Sequence, residues 1–549
     1  MSGKVLQLDP RDNVLIALAD LQRGEQVSFK GRAFTLTSDV PAKHKFPVRD
    51  IAAGDGIVMY GVLVGTAVTS IREGERLTPL NVRHQTAAIQ EKSGEYRWTP
   101  PDVSRWRQSA FLGYHRSDGQ VGTRNYWLVV PMVFCENRNV DALRQAFEEE
   151  LGFAAPGVYR RRVAHLANLY RAGKADELSA QAERPDLFEA RSRRLFENLD
   201  GVKFLVHQGG CGGTREDSEA LCGLIAGYIH HPNVAGATVL SLGCQNAQLG
   251  MLRQQIAKRS SNFSKPLIIL EQQQSGSEYA MLSEAIDKTF GGLIEANRSA
   301  RRPAALSNLC VGLKCGASDG FSGISANPAI GYTADLVVAL GGRAMLSEFP
   351  ELCGAEQQFI ERSVRPDVAA RFLQLMRDYQ ARARSVGASF EMNPSPGNIR
   401  DGLITDAMKS AGAAKKGGTS PVTAVLDFPE YSTQPGLQLQ CTPGNDVECV
   451  TAQVGAGANI VLFTTGLGTP TGNPIAPVVK LSSNSSLAER MGDIIDCDTG
   501  GILSGGKTIP QMGEEILDLV VRVAGGELRT KAELNRQNDF IPWKRGISL

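Results

Sequence analysis

Five stretches of this chain follow short apolar, strand-like runs with small polar residues, thiols and carboxylates. FLV leads into His207-Gln-Gly-Gly-Cys211-Gly-Gly-Thr214-Arg-Glu-Asp217, and VLSLG into Cys244-Gln245-Asn246. LCVGLK leads into Cys315-Gly-Ala-Ser318-Asp319-Gly-Phe-Ser322-Gly, AML into Ser347-Glu348-Phe-Pro-Glu351, and IVLF into Thr464-Thr465-Gly-Leu-Gly-Thr469. In sheets covered by helices, ligands gather outside the carboxyl ends of the strands. Glycines there let the backbone approach a ligand and leave N–H groups free for an anion. Carboxylates and imidazoles move protons, while short hydroxyls and amides suit a polyhydroxylated ligand. None of the five is a dinucleotide fingerprint, a Walker A loop or a GxSxG nucleophile elbow.

The elements that must position these residues alternate from residue 113 onward. YWLVVPMVF, VKFLVHQGG, GATVLSLGCQN and KPLIILEQQ read as buried strands, with helical patterns such as NVDALRQAFEEELG and SEALCGLIAGYIHH between them. The pattern restarts near 305 with SNLCVGLKCG, RAMLSEFPE, TAVLDFPEY and ANIVLFTTG. There FIERSVRPDVAARFLQLMRDYQARAR is the longest helical stretch, and GAAKKGGTS reads as a loop. This predicts an α/β body with mostly parallel sheets in two parts, 113–300 and 301–549. Residues 1–86 predict a small all-β domain, a barrel or β-clip, from EQVSFKGRAFTLTSDV with its Lys-Gly turn and from GIVMYGVLVGTAVTSI. DNVLIALADLQ is its one helix-like pattern. Residues 87–112 have linker composition, with Trp98 and Trp106 expected to lie against protein.

At 549 residues the chain is too long for one core. Its 59 Lys and Arg balance 58 Asp and Glu, so it offers no field for nucleic acid or an anionic membrane. No run approaches ~18 apolar residues and no basic-then-apolar leader opens the chain. A cytoplasmic protein with reduced thiols is therefore expected. The ten cysteines include no CxxC pair, but Cys211, Cys244 and Cys315 follow different strands and could converge on an iron–sulfur cluster. Among the histidines, His44 sits in a basic turn beside Lys45, His84 closes the first unit, and His230 and His231 read as a structural helix end.

Five blocks together resemble the altronate/galactarate dehydratase family over nearly the whole chain. They are PAKHKFPVRDIAAGDGIVMYG (41–61), GYHRSDGQVGTRNYWLVVP (113–131), HQGGCGGTREDSEALC (207–222), VGLKCGASDGFSGISANPAIGY (311–332) and TPGNDVECVTAQVGAGANIVLFTTGLGTPTGNPIAPVVKLSSN (442–484). The resemblance implies an SAF-type β domain followed by a two-part α/β body. It implies a homo-oligomeric hydro-lyase that converts a 2,3-dihydroxy sugar acid to a 2-keto-3-deoxy acid with a divalent metal, iron(II) before manganese(II). The layout resembles the altronate branch most, which implies D-altronate as substrate and 2-dehydro-3-deoxy-D-gluconate as product in hexuronate catabolism. Galactarate dehydration and sulfolactate-type carbon–sulfur cleavage are the alternatives. A non-catalytic sugar-acid-binding role and an iron–sulfur redox role are the rivals from other classes.

Removing a C2 proton beside a carboxylate creates a second negative charge, which a metal held by that carboxylate and the 2-hydroxyl would neutralise. On this reading His44, His207 and Asp319 are the expected catalytic residues. Lys45, Arg124, Asn125, Ser318, Ser322, Asn327, Thr464 and Thr465 are expected to bind substrate, and His44, His84, Cys211 and Asp217 to hold the metal. Two departures from the family stand out. Many relatives end the small domain with a His-x-His pair before Asn, where this chain reads RLTPLNVRH, and many have Cys-Glu-Asn where it has Cys244-Gln245-Asn246.

Overall fold

Short antiparallel strands build the N-terminal domain: β1 (Val5–Leu6), β2 (Val14–Ala17), β3 (Gln26–Phe29), β4 (Arg32–Thr35), β5 (Lys45–Pro47), β6 (Gly56–Met59), β7 (Val62–Ala67) and β8 (Val82–Arg83). They form sheets ordered β1-β2-β5, β3-β4 and β6-β7-β8 in the computed structural model, which describes residues 3–154, 157–174, 176 and 194–548. The β3–β4 hairpin turns at Lys30–Gly31 (φ 48° and 78°) and the β6–β7 hairpin at Tyr60–Gly61 (φ 57° and 74°). Two positive φ values in a two-residue loop match the twist of the flanking strands. DNVLIALADLQ, read as helix-like, contributes β2 instead. All four β2 residues are buried, and a run buried on both faces carries no period that separates helix from strand.

The second domain opens with the paired strands β9 (Ala110–His115) and β10 (Val121–Gly122). Its parallel sheet holds β11 (Tyr126–Pro131), β12 (Gly201–Phe204), β13 (Val234–Ser241) and β14 (Leu267–Glu271) in the order β12-β11-β13-β14. The chain leaves through β15 (Arg302–Ala305), which pairs antiparallel with β9, so entry and exit lie side by side.

Seven parallel strands form the third domain: β16 (Cys310–Gly316), β17 (Arg343–Leu346), β18 (Val422–Leu426), β19 (Gly436–Gln440), β20 (Ile460–Thr465), β21 (Val478–Ser482) and β22 (Cys497–Asp498). Their order is β18-β19-β17-β16-β20-β21-β22. The strands β19 and β21 were not anticipated, because GLQLQ and VVKLS bury polar side chains, such as Gln440, which donates 3.0 Å to the Ala452 carbonyl. The long helical stretch is two helices, Glu356–Arg362 and Pro366–Ser385. Pro366 opens the second, where a missing N–H costs nothing.

Helices Arg215–His230 and Asp446–Gly455 weld the two α/β domains into one core that includes Leu128, Leu224, Val461 and Phe463. They approach so closely that a Cβ on Gly227 would lie 2.1 Å from the Gly455 carbonyl oxygen. The linker lies against the body: Tyr96 donates 2.8 Å to the Thr419 carbonyl, and Trp106 Nε1 donates 2.8 Å to Asp518. Among the described residues, no helix is long and apolar enough to cross a membrane.

Candidate active site

The carboxyl ends of β16, β17 and β19 meet in a buried ion cluster. Lys314 Nζ contacts Glu348 and lies 2.8 Å from Asp446 Oδ1. Lys416 Nζ lies 2.7 Å from Glu348 Oε2 and donates 2.7 Å to Cys315 Sγ. Lys409 Nζ sits 2.9 Å from Glu351 Oε1, whose other oxygen accepts from the Cys315 thiol at 3.2 Å. Buried charges persist only when paired in this manner.

The cluster sets its own protonation. Burial works against the Lys314 ammonium, but Asp446 and Glu348 hold its pKa well above the usual lysine range. Lys416 is raised against burial by Cys315, Glu348 and Glu351. Burial would raise Glu351, yet Lys409, Lys416 and Lys314 hold it below the ordinary carboxylate range. Burial, then Glu351, push Glu348 upward, while Lys314 and Lys416 pull it back. Burial and the two glutamates push the Cys315 thiol up to about 12. Glu348 itself has φ 67°, a left-handed conformation that its neighbours must enforce, and its N–H donates 2.9 Å to Thr442 Oγ1.

Beside this cluster the N-terminal domain docks onto the loop after β16. Lys43 Nζ reaches Asp319 Oδ2 at 3.1 Å and Asp401 Oδ1 at 2.7 Å. The other Asp319 oxygen accepts from Ser322 N (2.9 Å), Ser322 Oγ (2.8 Å) and Ser483 Oγ (2.9 Å). Lys45 is fully enclosed and donates 2.6 Å to the Gly402 carbonyl. Burial lowers its pKa to about 7 against the pull of Asp319. His44 Nε2 lies 3.0 Å from the Arg400 carbonyl, its buried Nδ1 has no hydrogen-bond partner, and burial lowers its pKa.

The glycines of this region have a steric reason. A Cβ on Gly316 would lie 2.5 Å from Asp446 Oδ2, and one on Gly466 would lie 2.3 Å from Asp319 Cγ. The small polar residues expected around a polyol are largely bonded to one another. Thr464 Oγ1 donates 2.6 Å to Asn327, Thr465 Oγ1 accepts from Gly468 N at 3.0 Å, and Ser322 serves Asp319. Ser318 Oγ is buried without a hydrogen-bond partner.

Three expected residues sit elsewhere. Arg124 and Asn125 precede β11 and so lie at the opposite, amino edge of its sheet. Arg124 is buried against Glu533 (2.6 Å) and the carbonyls of Thr123 (2.7 Å) and Val523 (2.9 Å). Asn125 donates to the carbonyls of Asn198 (2.9 Å) and Ala296 (3.1 Å). Arg124 thus ties the second domain to the third, and Asn125 ties loops within the second domain. His207 has both ring nitrogens engaged, Nε2 at 2.8 Å from the Pro131 carbonyl and Nδ1 accepting from Gly209 N at 3.1 Å. Burial lowers its pKa to about 4, and it pins its loop as a neutral ring.

Among the described residues, no three of the four expected metal ligands have ligand atoms within 4.8 Å of one another. His84 Nδ1 accepts from Ala407 N at 3.2 Å, and Asp217 accepts from Arg545 N at 2.8 Å and Gly546 N at 3.1 Å. Cys211 is exposed. Among the described residues, two groups of three ligand atoms lie within 4.8 Å of one another: Cys315–Glu348–Glu351 and His84–Cys353–Asp406. Lysine ammonium groups already occupy the first. In the second, burial pushes the Cys353 thiol up and Asp406 well above its usual value. Neither donor set contains more than one of the four ligands expected from the sequence. Cys315, bonded to Glu351 and Lys416, does not join Cys211 and Cys244.

Sequence reasoning missed Lys314, Lys409, Lys416 and Asp446. The one local signal was a lysine inside the apolar strand LCVGLKCG. GAAKKGGTS, read as a loop, holds a 3₁₀ turn (Ala414–Gly417), and its Lys416 is fully buried because the carboxylates of Glu348 and Glu351 receive it.

A buried set of carboxylates, ammonium groups and a thiol at the carboxyl ends of parallel strands is the equipment of an acid–base enzyme. Residues 3–85 match the altronate/galactarate dehydratase SAF domain, 113–297 the D-galactarate dehydratase/altronate hydrolase second domain, and 306–548 the D-galactarate/altronate dehydratase C-terminal domain. Altronate dehydratase of Escherichia coli (strain K12) is 32% identical over 550 residues, covering 99% of each chain, and that of Bacillus subtilis (strain 168) is 31% identical over 547 residues, also 99% of each. Galactarate dehydratase (L-threo-forming) of E. coli is 29% identical over 532 residues, 96% of this chain and 93% of its own. The chain belongs to the altronate/galactarate dehydratase family and is a hydro-lyase.

Proposed function

We propose that the chain removes water from a 2,3-dihydroxy sugar acid, D-altronate before galactarate, giving 2-dehydro-3-deoxy-D-gluconate from altronate; carbon–sulfur cleavage of a sulfolactate-type acid, with sulfite leaving in place of water, is the alternative. The C2–H and C3–O bonds break, a base takes the C2 proton, the C3 hydroxyl leaves as water, and the enol tautomerises to the 2-keto acid. No electrons are gained or lost overall.

The observation that supports this reading is the pairing of Glu351 with Lys409. Glu351 is kept ionised against its burial, and Lys409, at 8% exposure, is the most accessible of the three cluster lysines. In this reading Glu351 takes the C2 proton while Lys409 faces the substrate carboxylate, where charge develops. Lys314 and Lys416 hold Glu348 and Cys315 in place. His44 and Asp319 serve the leaving hydroxyl, and the free Ser318 hydroxyl serves the polyol tail. Activation by iron(II), or by manganese(II), belongs to the same proposal. The test is a panel of aldonic acids, aldaric acids and sulfolactate, assayed for product with and without iron(II) and after chelation. Formation of a 2-keto-3-deoxy acid from altronate supports the reading, and turnover of sulfolactate alone would replace it.

A further inference from the structure

We infer that Cys135, Cys211 and Cys244 hold an iron–sulfur cluster of the four-iron type through three thiolates, leaving the fourth iron without a protein ligand. A free cysteine is among the most buried of residues. Of the ten cysteines here, these are the three that are exposed. All three follow neighbouring strands of one parallel sheet. Cys135 comes just past β11, Cys211 past β12 and Cys244 past β13, in a sheet ordered β12-β11-β13-β14.

The loops that carry them are tied together. Phe134 N donates 3.1 Å to the Gly209 carbonyl, Ala247 N donates 3.1 Å to the Gly210 carbonyl, and Asn246 Nδ2 donates 3.2 Å to the Gly213 carbonyl. A Cβ on Gly210 would lie 2.7 Å from Val133 Cα, so glycine is required for the contact that brings the Cys211 loop against the Cys135 loop. Gly210 and Gly212 have φ 99° and 63°, and among the described residues the N–H groups of Cys211, Gly212 and Gly213 have no hydrogen-bond acceptor. Successive free amides of this kind form the concavity that receives an anionic cluster. Gln273 Nε2 already donates 3.3 Å to Cys244 Sγ, the sort of hydrogen bond to sulfur that tunes such a cluster.

Among the described residues, the three thiols do not meet at the spacing of ligands to a single ion. A single ion needs its ligand atoms mutually close, and these three thiols are not among the groups whose ligand atoms all lie within 4.8 Å. In a cluster each thiolate binds a different iron. Its chemistry rests on the dehydratase reading: Cys135, Cys211 and Cys244 would hold the cluster, and an iron without a protein ligand would supply a Lewis acid for a hydroxy acid.

The full chain, purified anaerobically and reconstituted with ferrous iron and sulfide, should be brown, hold about four irons and four sulfides, and give a cluster signal in electron paramagnetic resonance. Cys135→Ser, Cys211→Ser and Cys244→Ser should each lose most of that iron, sulfide and colour, while Cys497→Ser keeps them. Alkylation of the unaltered chain, mapped by mass spectrometry, reads the same site without a variant, with the three thiols protected when loaded and modified when stripped. A colourless chain without sulfide, or free alkylation of all three thiols in the loaded form, overturns the inference. Cluster content is read without substrate. Loaded protein inactive on every acid would sink the dehydratase reading alone, and active protein without sulfide would sink the cluster alone.

Discussion

Lys43 of the N-terminal domain reaches 3.1 Å into the third domain to pair with Asp319, a carboxylate with no exposed surface. The pair joins docking to the candidate site. In Asp319→Asn an amide oxygen can still accept from Ser322 and Ser483, but Lys43 is left with Asp401 as its counter-charge. Losing one hydrogen-bonded charge partner of a largely buried lysine costs about 1.5–3 kcal/mol. We expect that loss of stability in denaturant unfolding, with part of it recovered in the Lys43→Met/Asp319→Asn double variant. Single effects that simply add would show that the pair does not couple the domains.

His44 lies at the same junction with one ring nitrogen on the Arg400 carbonyl and the other buried without a partner. His44→Ala should lower turnover by at least about a hundredfold, the scale of a lost acid–base group. Its melting temperature should change little. Near-normal turnover would remove the N-terminal domain from the chemistry.

Glu351→Gln should lower kcat by about a hundredfold or more, since an amide cannot take a proton. Lys409→Met should act chiefly on KM, through the lost counter-charge to the substrate carboxylate. The two are separated by steady-state kinetics on protein whose circular dichroism is unchanged. Wild-type kcat in Glu351→Gln would assign the base elsewhere.

Acid should weaken the fold before it protonates most carboxylates. Burial depresses His207 to about 4 and His231 to about 3, from an unfolded value near 6.5. Between those values the unfolded chain binds more protons than the folded one, so stability rises with pH and falls as pH drops below about 6.5. The melting temperature should decline steadily from pH 6.5 toward 4. A flat profile there would mean that these rings are protonated in the folded protein.

Much of the scaffold could be read from the chain because buried parallel strands are apolar runs. YWLVVP, VLSLG and LCVGLK each proved to be strands, and the residues after them do line the carboxyl edges. The ion cluster was illegible for the opposite reason. Lys314, Lys409, Lys416 and Asp446 join Glu348 and Glu351 across long stretches of sequence, and nothing local to GAAKKGGTS tells a solvated lysine from one received by two buried glutamates. Asp319 was legible as the single carboxylate of its run, whereas its partner Lys43 was not, because that contact crosses between domains.

The most direct measurement of the central claim is the reaction itself. D-Altronate incubated with the purified, iron-loaded chain in deuterated water should give a 2-keto-3-deoxy acid carrying solvent deuterium at C3, where the enol is protonated, and Glu351→Gln should give at most about a hundredth of the rate. No such product from altronate or galactarate, or equal rates for the two proteins, would contradict the account.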